Sequence, residues 1–164
     1  MIINNRYESV DLDTVDRKIL GMLIENARVS TAELARRVSL SAPSVAERIK
    51  RLEEAGVIEG YTVRINPAAL GLPISAWLRI RPIPGELQRV ARILNDLPEV
   101  AECDRITGED CFVARVHVQS VGHLETVIDQ LISWSMTNTS IIQSSPVKRR
   151  LPKFPGQPDR MPLS

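Results

Sequence analysis

Between Leu40 and Gly56 the chain runs LSAPSVAERIKRLEEAG and gathers Ser41, Ser44, Glu47, Arg48, Lys50 and Arg51 into a short span. These residue types suit the gripping of a polyanion. Hydroxyls at a helix start, aided by the free N–H groups there, can hold a phosphate or a base edge. Arg48, Lys50 and Arg51 can neutralise phosphates, and an arginine can take a guanine edge through two parallel hydrogen bonds. Glu47 can accept a hydrogen bond from a cytosine amino group. A second reading of Glu47 stays open, because Arg51 stands four residues on and the two can simply pair on the helix surface.

Such residues act together only if one helix presents them. Ser41 is placed to cap that helix, and Pro43 is tolerated in its first turn. With Val45, Ile49 and Leu52 turned inward, ~100° per residue puts Ser44, Glu47, Lys50 and Arg51 on the opposite half, with Arg48 on the flank. Gly56 ends the helix. Upstream, Asp13 can cap a helix whose apolar positions Val15, Ile19, Leu20 and Leu23 repeat at helical spacing. Ser30 and Glu33 have capping-box spacing at the head of a short helix that turns Leu34, Ala35 and Val38 inward. Ser39–Ser41 makes the tight connection between that helix and the next. Downstream, VIEGYTVRI suggests two short strands turning at Glu59-Gly60. Residues 1–65 therefore have the pattern of a winged helix-turn-helix, whose partner is double-stranded DNA. Arg36 and Arg37 are expected to touch the DNA backbone or to stand solvated.

The charge distribution fits a local contact rather than a basic coat. The net charge is only +1, yet Arg36, Arg37, Arg48, Lys50 and Arg51 face Glu47 alone between positions 36 and 51. From Glu8 to Asp16 the balance reverses, with acids and no base. A neutral chain with such a segment can still bind a polyanion, because the local field decides.

Asn66 to Pro73, NPAALGLP, interrupts the periodicity as a linker over residues 66–73. Residues 74–150 then alternate differently. A strand over Ile74–Ile83 precedes a helix over Glu86–Leu97. Strands over Glu99–Ile106 and Cys111–Val118 flank TGED, a second helix covers about Val121–Trp134, and a last strand covers about Thr139–Val147. That order is βαββαβ, so the whole chain is α+β, a winged helix-turn-helix followed by a ferredoxin-like sandwich. Residues 151–164, rich in proline, form a loosely ordered tail. In the first strand Ala76, Leu78 and Ile80 alternate with Trp77, Arg79 and Arg81, and in the third Phe112, Ala114 and Val116 alternate with Val113, Arg115 and His117. One face is a core. The other, mixing Trp and Arg, suits self-association, or is a solvated face with stray apolar residues.

Several function classes are not suggested. No apolar run approaches the ~18–20 residues that cross a bilayer, and the N-terminus lacks a secretory pattern, so a cytoplasmic protein is expected. Cys103 and Cys111 are expected to be reduced thiols; standing symmetrically about Thr107, they could oppose each other across a hairpin and act as a redox switch. With only His117 and His123 and no Cys/His cluster, neither a metal site nor a catalytic site is expected.

The stretch LDTVDRKILGMLIENARVSTAELARRVSLSAPSVAERIKRLEEAGVIEGYTVRINPAALG resembles the N-terminal half of the Lrp/AsnC (feast/famine) transcriptional regulators. The similarity continues through PEVAECDRITGED, TNTSII and VKRRLP, covering about Leu12 to Pro152. It implies a DNA-binding domain joined to an effector-sensing domain, assembled into homodimers and then tetramers or octamers, with an amino acid or related metabolite as effector and no other cofactor. The family's recognition helix falls on Ser41–Leu52. Its effector loop falls on Thr107, Gly108, Glu109 and Asp110, with Ser135, Thr137, Asn138 and Thr139 facing it from a neighbouring subunit. Gly108 can allow close backbone approach, and Glu109 and Asp110 can hold an ammonium group. TGED is equally the composition of an ordinary hairpin turn. Cys111 stands where the family has a second acid, Asp110 replaces a mostly aromatic position, and WSM (Trp134–Met136) replaces a Gly-Val. Effector identity, and whether sensing is retained, stay open. A rival from another class is an enzyme subunit, because sirohaem decarboxylases look similar in architecture; His117 and His123 are its only support.

Overall fold

The helix α1 (Thr14–Glu25) begins at a full capping box: the Asp16 N–H donates to Asp13 Oδ1 at 2.7 Å and the Asp13 N–H to Asp16 Oδ2 at 3.3 Å. The structure, a computed structural model, describes residues 10–151 and Phe154. The proline-rich tail otherwise lies outside the described residues. Helix α2 (Thr31–Val38) starts at Ser30, whose hydroxyl accepts from the Glu33 N–H. Only half of that expected box forms, because the Glu33 carboxylate turns to Arg36 and Arg37 instead. Helix α3 (Ala42–Glu54) is capped by Ser41. Ile19, Leu34, Ala35 and Val45 make the core of this helical unit, with Val15, Leu23, Val38 and Ile49 packed against them. Each fully buried aliphatic of this kind contributes roughly 1.5–3 kcal/mol relative to exposure.

The expected wing strands after α3 do not form. The Val57 and Ile58 N–H groups both donate to the Leu52 carbonyl, and the Gly56 N–H donates to Glu53. With Gly56 at φ 70°, this is the Schellman closure of a helix. It consumes the donors that a first wing strand would need. A ribbon of two short strands is marginal in any case. Tyr61 is tied back to α3 through its hydroxyl, which donates to Glu53 at 2.9 Å.

Contacts among the described residues divide the chain into two compact units, one ending at Val63 and rejoined by the chain from Arg150, the other running Arg64–Arg149. The second unit opens with a single turn of 3-10 helix, Pro67–Leu70, within the segment expected as a linker. It then runs β1 (Ile74–Pro82), α4 (Leu87–Asp96), β2 (Val100–Arg105), β3 (Phe112–Val118), α5 (Val121–Ile132) and β4 (Ser135–Ile141). The sheet order is β2-β3-β1-β4, all neighbours antiparallel. This is the ferredoxin-like arrangement expected from the βαββαβ order. Ala76, Leu78, Ile80, Phe112, Ala114 and Val116 meet Val90, Leu94, Leu124, Val127 and Leu131 in one core, so both helices cover one face of the sheet.

The last strand starts earlier than the expected Thr139–Val147. The Trp134 carbonyl accepts from the Ile83 N–H, and Ser135 falls opposite Pro82, so pairing begins directly after α5. The Ser and Thr residues of SMTNTSI suit a half-buried edge strand despite their polarity.

Candidate nucleic-acid interface and effector loop

Helix α3 is set by a tight turn in which Ser39 takes the left-handed conformation at φ 58°. The Ser41 hydroxyl accepts from the Ser44 N–H at 3.3 Å, and the two hydroxyl oxygens lie 2.8 Å apart. Val45 and Leu52 are fully buried and Ile49 half-buried, which leaves Ser41, Ser44, Glu47, Lys50 and Arg51 exposed, as the spacing predicts. Lys50, 64% exposed, lies 3.7 Å from Glu54, too loose to remove its charge from solvent.

Glu47 does not pair with Arg51. The Arg51 Nη2 instead donates to Asp16 Oδ2 at 2.5 Å, across to α1. Arg48 makes two such bonds through Nη1, to Asp13 Oδ2 at 2.6 Å and to Asp16 Oδ1 at 2.8 Å. Asp16 has 0% side-chain exposure, against 28% for Arg48 and 53% for Arg51. A buried carboxylate is tolerable only with its oxygens bonded, and the two arginines supply those bonds. The Asp16 N–H and then the Arg48 guanidinium hold the Asp13 carboxyl below its ordinary pKa. Arg48 is correspondingly held more firmly protonated, first by Asp13 and then by Asp16.

In the second unit, Thr107–Asp110 lie in the β2–β3 loop, Thr107 to Glu109 exposed and Asp110 half-buried, with Gly108 at φ 114°, a conformation that disfavours any side chain. Glu109 Oε2 accepts from Arg81 Nη2 at 2.6 Å, and Asn138 Oδ1 accepts from Arg79 Nη2 at 2.9 Å. Arg79 and Arg81 lie on the face of the sheet away from α4 and α5, so Glu109 and Asn138 are brought to that open face. Thr137 and Thr139 pair with Ile80 and Leu78 and point to the opposite face. Ser135 is buried, and its hydroxyl donates to the Leu131 carbonyl at 2.9 Å. Ser135 is thus engaged in closing the α5–β4 turn. The expected opposition of Cys103 and Cys111 does not occur. Cys103 pairs with Ala114, which places Cys111 about 10 Å further along the hairpin. That exceeds the reach of a disulfide without backbone movement.

The winged helix-turn-helix DNA-binding family matches residues 12–59, and the Lrp/AsnC ligand binding domain matches residues 75–152. The HTH-type transcriptional regulator LrpC of Bacillus subtilis is 32% identical over 133 residues, which are 81% of this chain and 92% of LrpC. The chain belongs to the Lrp/AsnC family of DNA-binding transcriptional regulators. The solved structure of B. subtilis LrpC superposes with a TM-score of 0.80 at 31% identity, covering 85% of this chain and 100% of that one. A feast or famine regulatory protein from M. tuberculosis, solved in complex with L-methionine, gives a TM-score of 0.80 at 33% identity, covering 86% of this chain and 98% of that one. These relatives are named as regulators, not as decarboxylases. His117 and His123 stand on separate elements, the first 2.7 Å from the Ser75 hydroxyl and the second 2.8 Å from Glu99.

For this Lrp/AsnC chain the residues missed from sequence are Asp13 and Asp16 as anchors of α3, and Arg79 and Arg81 as holders of Asn138 and Glu109. A signal for Asp16 existed. It lies three residues before Ile19 and seven before Leu23, an acid on the apolar stripe of α1, where only a paired carboxylate is at home.

Proposed function

We propose that the protein is a cytoplasmic, homo-oligomeric regulator that docks α3 in the major groove of duplex DNA and answers to an amino acid or related metabolite. The observation that carries the DNA reading is the exposed face of Ser41, Ser44, Glu47, Lys50 and Arg51 over the buried Val45 and Leu52. Ser41 and Ser44 grip a phosphate at the helix N-terminus, Lys50 neutralises another, and Arg48 and Arg51 offer spare guanidinium donors beyond their bonds to the aspartates. Glu47, lacking an ion pair with Arg51, is left to read a base. Among the described residues no helix is long and apolar enough to cross a membrane.

The effector reading rests on the family and on the L-methionine complexes of two relatives, one from Neisseria meningitidis and one from M. tuberculosis. Thr107, Gly108, Glu109 and Asp110 would form the loop, with the Asn138 side chain contributed by another subunit and Thr137 and Thr139, whose side chains face the helices, contributing backbone only. Ser135 takes part only if its bond to Leu131 opens. Self-association uses the open sheet face, where Trp77, Arg79, Arg81 and Arg115 are gathered. A dimer, assembling further to a tetramer or octamer, presents paired α3 helices roughly one helical turn of DNA apart. Selection of bound duplexes from a random-sequence pool tests this: enrichment of a two-fold symmetric site supports it, and enrichment of no sequence rejects it. Sedimentation with and without L-methionine tests the assembly.

A further inference from the structure

The acids on α1 change what the cations of α3 can do. Asp13 and Asp16 stand against Arg48 and Arg51 in one hydrogen-bonded quartet whose formal charges cancel. The contacts within it engage only Nη1 of Arg48 and Nη2 of Arg51, and each guanidinium carries five N–H donors. The quartet therefore leaves oriented donors whose attraction for phosphate is largely cancelled. Non-specific binding arises almost entirely from uncompensated cations that displace counterions. Base discrimination arises from donors fixed in position. An aspartate partner weakens the first and sharpens the second.

We propose that Asp13 and Asp16 are positioning residues for DNA specificity, holding Arg48 and Arg51 as aimed hydrogen-bond donors while suppressing their sequence-independent pull on phosphates. This rests on the reading that α3 faces DNA. It makes Lys50 the main non-specific anchor of the helix and the arginines its discriminating groups. Asp16 holds both guanidiniums from a buried position, whereas Asp13 reaches only Arg48, so the two acids act to different degrees.

The test uses the full chain and two duplexes, one selected by the wild-type protein from a random-sequence pool and one a scramble of the same length and composition. Asp13→Asn is the principal variant, because asparagine keeps the oxygen that caps the helix while its amide nitrogen replaces the charged acceptor of Arg48. It is expected to tighten binding to the scrambled duplex by roughly three- to tenfold at low salt, to steepen the salt slope by about 0.9, and to lower discrimination by a similar factor. Asp16→Asn, if folded, should do more, since the negative charge that both arginines share is removed. Adding Arg48→Gln to Asp13→Asn should return the slope to the wild-type value. A folded Asp13→Asn variant with unchanged slope and unchanged discrimination would overturn the proposal. So would equal loss of affinity for both duplexes, the mark of a purely structural role. If wild-type binding to either duplex ignores salt, the α3 reading itself fails, and that outcome is visible before any variant is made.

Discussion

The Arg51 Nη2 of α3 lies 2.5 Å from the Oδ2 of Asp16, an α1 carboxylate with 0% exposure. Helix α3 is thus fixed to α1 by charge as well as by the packing of Val45 with Ile19. Asp16→Ala removes the acceptor of three contacts, from Arg48, Arg51 and the Asp13 N–H. Because both arginines can reach water, the expected cost is about 2–4 kcal/mol, near the lower range for breaking a buried pair. Urea denaturation measures it; a loss below about 0.5 kcal/mol would show that the pairing contributes little.

Glu47 tests the opposite case. It is exposed and has no pairing with Arg51, so Glu47→Gln should change stability by no more than about 0.5 kcal/mol. Its effect belongs in the selected DNA sequence. Preference at one base-pair position should relax by about 1–3 kcal/mol, while affinity for scrambled duplex stays flat or rises. An unchanged selected sequence would remove Glu47 from the base-reading set.

The pH dependence follows from Asp13. Its folded-state pKa lies below the unfolded value, so the stability it adds is fully present above the ordinary aspartate range. That stability is lost as pH falls below about 4 and through the lower folded value. Asp13→Asn should make unfolding midpoints less sensitive to acid in that window and leave the sensitivity above about pH 5 unchanged. Parallel curves for the two proteins would contradict the assignment.

In the β2–β3 loop, Glu109 is held toward the open face by Arg81. If it receives the ammonium of an amino acid, Glu109→Gln loses about 1.5–3 kcal/mol of binding, roughly ten- to a hundredfold. Thermal shift across a panel of amino acids, L-methionine included, reads this. Equal stabilisation of wild type and variant would place the ligand elsewhere.

Much of this was legible in residue types. Asp13, Ser30 and Ser41 cap where their spacing says, Gly56 ends α3, and the alternation about Leu78 and Ala114 gives the two sheet faces correctly. What escaped is long-range. Nothing local says that Arg51 prefers Asp16, 35 residues away, to Glu47 four residues back; tertiary packing of α1 on α3 decides it. The wing strands failed because capping consumed the Val57 and Ile58 donors, a competition that a β-propensity pattern cannot register. β4 was displaced because its start is set by pairing to Pro82 rather than by its own apolar content. Among site residues, Thr107–Asp110 fell on a loop as expected, but the sheet pleat separates Asn138 from Thr137 and Thr139, and the α5–β4 turn claims Ser135.

The grip of α3 on duplex DNA through its exposed polar face is read most directly by fluorescence anisotropy of wild type and Lys50→Ala across a range of salt. Log K is expected to fall linearly with log salt, and Lys50→Ala to lower affinity for all sequences alike while reducing the slope by about 1. Affinity indifferent to salt, or a slope untouched by Lys50→Ala, would contradict it.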